Sequence, residues 1–222
     1  PGMWAICIVP TMLGLVKAEY AVSYGYGWAM AGLGLATLLN APIVATPSLC
    51  FGLDMITRQH ALLYVLFGLR LNSFLAFRSN LPVFKKLVQT IEDKRNANAP
   101  EGFVMNRLSR LPFILSCSAL YFGMGAPLYL TKMYGASIVQ GSALWMTAKA
   151  GVVAMYTGFV LEAVGDYQKL REKSKTDGLV TKGLYRYLRH PNYSGEQLLW
   201  LGSCITGLAS CAAAAVEGGL TR

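Results

Sequence analysis

Charge is what this sequence has least of. Only 14% of its 222 residues are Asp, Glu, Lys or Arg, against 54% hydrophobic, where soluble domains carry roughly 25% charged residues. That balance excludes a disordered chain and an ordinary water-soluble one, because too little polar side chain is available to solvate the surface. Histidine is scarce as well, with His60 and His190 the only two. The five cysteines (Cys7, Cys50, Cys117, Cys204 and Cys211) form no CxxC and no Cys/His pairing, so they read as small packing residues, neither metal ligands nor a disulfide framework. Eleven acidic residues face twenty basic ones, for a net charge of +9, and no acid lies between Glu19 and Asp54. An excess of this size also occurs in nucleic-acid binders. Here, however, the basic residues sit in loops flanking apolar runs, the pattern that orients membrane proteins, and no nucleic-acid partner is expected. No basic stretch precedes the first apolar run, so no cleavable signal is read. The start at Pro1 implies a processed or trimmed end.

What is present is a series of apolar runs. They cover residues 4–16 (short, and interrupted by Pro10), 24–45, 61–77, 111–130, 143–161 and 195–216. Runs of about 20 apolar residues span a bilayer as helices. The fold expected is therefore all-α, a polytopic integral membrane protein of about five to six transmembrane helices forming one domain. Tyr20, Tyr24, Tyr26 and Trp28 fit an interfacial aromatic belt, and Gly32, Gly34 and Ala36 give the second span a face that a neighbour can approach closely. Two basic loops, 79–110 and the stretch following 161, are separated by two spans and must lie on one side. The first loop contains a short amphipathic stretch at 83–91, read as a surface helix. The lipid bilayer is thus a partner, while endoplasmic reticulum and plastid or mitochondrial membranes are not distinguished.

Polar residues inside such runs need partners. Arg70 falls within the third run, where an arginine costs roughly 2.5–3.5 kcal/mol on insertion scales, so it should face the bundle and be paired. Glu162 and Asp166 lie one helical turn apart at the end of the fifth. They would receive Arg70 or Arg189, or meet ribose hydroxyls and an amide of a nucleotide. The densest polar stretch is 183–196, Gly-Leu-Tyr-Arg-Tyr-Leu-Arg-His-Pro-Asn-Tyr-Ser-Gly-Glu. Pro191 predicts a turn at His190 with helix resuming near Tyr193, leaving backbone N–H groups, Arg186 and Arg189 around one anion-binding point. His190, Tyr185 and Tyr193 flank that turn and are the candidate proton-transfer residues. His60, beside Arg58 and Gln59, reads as structural.

This motif, with Glu162-x-x-x-Asp166-Tyr-Gln-Lys, Leu69-Arg70-Leu71 and Glu92-Asp93-Lys94-Arg95 upstream, resembles the DUF1295 family. That family is related to the steroid 5-alpha-reductase C-terminal domain and more distantly to sterol reductases and isoprenylcysteine carboxyl methyltransferases. The resemblance spans roughly residues 57–205, with 1–56 as N-terminal spans. It implies a helical membrane enzyme that binds NADPH on its basic face and reduces a C=C bond of a hydrophobic small molecule: an unsaturated lipid, isoprenoid or steroid-like compound. By the same resemblance Glu162, Asp166, Asn192 and Glu196 occupy cofactor-binding positions, and Arg189 and His190 belong to the pocket wall. The chain lacks the early-helix glutamate with which 3-oxo-steroid reductases polarise the ketone.

Two other readings follow from the same residues. An S-adenosylmethionine-dependent methyltransferase shares the Arg-His-Pro-x-Tyr-x-Gly pattern, although its relatives usually carry an apolar residue where Glu196 stands. A catalytically inactive, reductase-derived subunit of a larger photosynthetic or respiratory assembly would need no cofactor. Pigments or quinones there would look to His60, His190 and Asn40. No metal site is expected.

Overall fold

The computed structural model describes residues 2–39, 53–97, 107–175 and 178–218. Among these, all regular structure is helical: α1 (Gly2–Thr11), α2 (Ala18–Val22), α3 (Tyr24–Leu38), α4 (Met55–Ser79), α5 (Pro82–Ala97), α6 (Leu111–Met124), α7 (Ala126–Tyr134), α8 (Ala143–Lys173) and α9 (Pro191–Glu217), with short 3₁₀ turns between. Four segments are long and apolar enough to cross a membrane, namely Met55–Ser79, Arg107–Ser137, Ala143–Lys173 and Pro191–Glu217, and Gly2–Leu15 is a shorter apolar helix. The chain is an all-α, polytopic integral membrane protein.

Several boundaries differ from the apolar runs because caps, not hydropathy, end helices. Asp54 caps α4 by accepting from Thr57 N at 2.9 Å, and Ser142 caps α8 by accepting from Trp145 N at 3.1 Å. At its other end α8 stays helical through the charged residues to Lys173. The run at 111–130 is two helices, interrupted at Gly125 before Pro127. Pro191, with no N–H to lose, takes the first position of α9, so the helix begins two residues before the expected Tyr193. Arg110 closes the end of the first apolar segment by donating to the carbonyls of Leu15 and Val16 at 3.3 and 3.1 Å.

Two antiparallel helix pairs form the frame. In the α8–α9 pair, Gly151, Gly158 and Gly165 recur every seventh residue against Gly202, Gly195 and Asn192. A Cβ on Gly158 would stand 2.5 Å from both Gly195 O and Leu199 N, so the two backbones touch. The α3–α4 pair repeats the device, with Gly34 against the Ala61 carbonyl and Gly27 against Gly68 and Asn72. Tyr64, Phe67, Met30, Leu63, Met155 and Leu199 fill the core between the pairs.

A second polar network lies inside this core. His60 is fully buried, with Nδ1 3.0 Å from Thr131 Oγ1 and Nε2 2.9 Å from Ser203 Oγ; Tyr64 Oη reaches Ser203 Oγ at 2.9 Å and donates to Met124 O at 2.7 Å. Both ring nitrogens are engaged, so His60 has none left to coordinate a pigment. Asn40 lies outside the described residues.

Candidate functional site

At one end of the bundle α4, α8, α9 and the start of α3 bring their polar residues together. Arg70 projects from α4 toward α8, where Nη1 pairs with Glu162 Oε1 at 2.5 Å and Nη2 pairs with Asp166 Oδ2. Nη2 also reaches the Glu162 carbonyl at 3.4 Å. The one-turn spacing of the two acids makes this possible, because both carboxylates then face the same guanidinium. The burial and pairing expected of Arg70 are met: its side chain is 17% exposed, and those of Glu162 and Asp166 are 6% and 13% exposed.

Asn192, buried in the first turn of α9, extends the cluster by donating from Nδ2 to Asp166 Oδ1 at 3.2 Å. Gly165 permits this, since a Cβ there would lie 2.8 Å from Asn192 N. Tyr185 donates to Gly165 O at 3.3 Å and stands 3.4 Å from Asn192 Oδ1. Burial, then the nearby Asp166 charge, then Tyr193, pushes its phenol up to about 12, so Tyr185 remains a donor. The turn carrying Tyr185 is fastened by Gln168, whose Oε1 accepts from Leu184 N at 2.9 Å. Gly183 allows the close approach, with a φ of 63° that a larger residue adopts only under strain.

Glu196, one turn further along α9, accepts from Tyr26 Oη at 2.8 Å. Tyr26 corrects the aromatic-belt expectation. It is half-buried, stacked on Tyr121 (centroids 5.1 Å apart) and set edge-on to Phe67 at 5.4 Å. Its ring is drawn inward because α3 packs directly on α4 along the glycine seam. No local pattern separates Tyr26 from Tyr20 or Tyr24, so sequence reasoning missed it.

The remaining candidates lie at the rim. Arg186, Arg189, His190 and Tyr193 are exposed. Arg186 lies over the Tyr187 ring at 5.9 Å, and His190 and Tyr193 pack together at 5.6 Å. Arg189 forms no ion pair among the described residues. Of the sequence-derived set, Glu162, Asp166, Asn192, Glu196 and Tyr185 converge with Arg70 and Tyr26, whereas the two arginines, His190 and Tyr193 border them on the solvent side.

The electrostatics are unbalanced. Two carboxylates share one guanidinium, a third, Glu196, is close enough to Glu162 for their charges to repel, and Glu162 Oε2 is buried with no hydrogen-bond partner. Buried acceptors without donors are costly.

An acid-rich cluster at the basic end of a helical bundle thus defines a polytopic membrane protein with a polar site at its membrane edge. The sequence matches the family described as "Protein of unknown function (DUF1295)" over residues 37–220, and the chain belongs to it. The match includes Arg70, Glu162, Asp166 and all of 183–196, while Tyr26 precedes it. No curated protein and no solved structure matches the chain.

Proposed function

We propose that the chain is a membrane-embedded, NADPH-dependent reductase of a C=C bond in an apolar unsaturated substrate of lipid or isoprenoid type. The observation that carries this reading is the surplus of acceptors, above all the unpartnered Glu162 Oε2. An acceptor-rich cluster suits a donor-rich guest, and the nicotinamide riboside end of the cofactor presents an amide N–H₂ and hydroxyls. Glu162, Asp166, Asn192 and Glu196 would hold that end, and the exposed Arg186 and Arg189 would meet the phosphates. When bound, the nicotinamide supplies hydride.

The chain's own residues supply the rest. Tyr26 Oη stands where the polar cluster meets the aromatic interior of Phe67, Tyr121 and Trp200. For a C=C bond conjugated to a carbonyl, the phenol would donate its proton to the carbonyl oxygen as enolate charge develops there, and the resulting enol returns to the saturated carbonyl compound by moving that proton to carbon. Glu196, half-exposed on the other side of Tyr26, returns a proton from the solvent-facing end. Tyr185 holds Asn192 in position.

Calorimetric titration of the protein in nanodiscs tests this, with NADPH and S-adenosylmethionine as competing arms. Asn192→Ala and Glu196→Ala should each lose NADPH binding while keeping cooperative unfolding. Unchanged affinity in both removes the reductase reading, and binding of S-adenosylmethionine alone replaces it with the methyltransferase.

An inactive subunit of a larger membrane assembly is the second reading, favoured by one feature: Glu162 and Asp166 already occupy both arms of Arg70. Co-purification in a stable complex, with no response to NADPH, would select it.

A further inference from the structure

The end of α4 carries a cation that the polar cluster does not use. Arg78 lies between two rings, its guanidinium carbon 5.5 Å from the centroid of Phe74 on α4 and 4.6 Å from that of Phe84 on α5. Its Nε is buried without a hydrogen-bond partner, and Arg78 forms no ion pair among the described residues. Two aromatic faces and a buried Nε hold the plane of this arginine. A planar, oriented guanidinium presents two parallel N–H donors, the geometry that fits a phosphate.

Its place in the fold narrows the source of that phosphate. Asn80 N donates to Phe77 O at 3.2 Å and Leu81 N to Arg78 O at 3.1 Å, closing a tight turn from which Pro82 starts α5. A membrane-crossing helix therefore ends, and an amphipathic one begins, at Arg78. Phe77 is 60% exposed, Phe84 and Val88 are half-buried, and Lys85 and Lys86 are exposed. Apolar bodies and cationic heads at one level mark the boundary between acyl chains and headgroups.

We propose that Arg78, with Lys85 and Lys86, binds the phosphate of an anionic phospholipid headgroup at the basic face and thereby holds α5 on the membrane surface. Phe74 also lies under Arg70 at 5.5 Å, so one ring backs both the lipid site and the buried cluster. Each basic side chain at an anionic surface strengthens attachment about fivefold.

Hydrogen exchange of α5 in nanodiscs tests this. In phosphatidylglycerol-containing discs the amides of 83–97 should exchange at least about fivefold more slowly than in phosphatidylcholine discs. Arg78→Gln should shrink the difference about fivefold, and separately the exposed pair Lys85→Gln/Lys86→Gln should shrink it about 25-fold, while α8 and α9 exchange as in the parent. Equal exchange in both lipids, or a difference that neither variant diminishes, overturns the proposal. So does equal slowing by inorganic phosphate added to phosphatidylcholine discs, which would make the ligand a free anion.

Discussion

The Arg70 guanidinium meets the Glu162 carboxylate at 2.5 Å across 92 residues of sequence. This pairing, shared with Asp166, joins α4 to α8 at the level where α9 begins. It makes an otherwise costly intramembrane arginine the fixed point of the polar cluster.

Removing that point leaves two carboxylates uncompensated. Arg70→Met should lower stability by about 3–5 kcal/mol, the usual cost of breaking one side of a buried pair. Arg70→Lys should recover only part, because a single ammonium lacks the fork that serves both acids. Unfolding in detergent, followed by circular dichroism, gives the comparison; a Lys variant as stable as the parent would contradict the two-armed arrangement.

Tyr26→Phe removes one hydroxyl and leaves the ring stack on Tyr121 intact. NADPH affinity should stay within a few-fold of the parent, and turnover should fall about 10²–10⁴-fold, the range for loss of a positioned proton donor. Equal losses in binding and turnover would place Tyr26 in cofactor binding instead.

The glycine seam predicts opposite outcomes for one substitution at two sites. In Gly158→Ala the new methyl meets backbone atoms of α9 that cannot move aside, for a loss of about 1–3 kcal/mol. A methyl on Gly123 would meet nothing within 4 Å, and Gly123→Ala should gain about 0.5–1 kcal/mol from helix propensity. Thermal melts of the two proteins should therefore move in opposite directions.

Tyr185 makes stability depend on alkaline pH. Its phenol is pushed from the ordinary value of 10.0 up to about 12, chiefly by burial, so the folded state holds that proton more tightly than the unfolded chain. The associated stabilisation is complete below pH 10 and is lost as pH rises through about 12. Against Tyr185→Phe, which has no proton to lose, the parent should lose stability progressively over this window. A constant difference between the two would show that Tyr185 titrates normally.

By itself the sequence determined the helical membrane class, the shared side of the two basic loops and the crowding of polar residues at 183–196, because hydropathy and charge are properties of local stretches. It also determined that Arg70 needed a partner, and the Glu162/Asp166 spacing offered one, since a charge in hydrocarbon and a helical stripe are both readable along a single helix. Only the tertiary structure decided that Arg70 takes both acids, that His60 is closed off by Thr131 and Ser203, and that Tyr26 meets Glu196 across 170 residues. Those contacts depend on which helices pack together and how closely. Glycines spaced seven apart set that approach, through backbone contacts between segments distant in the chain.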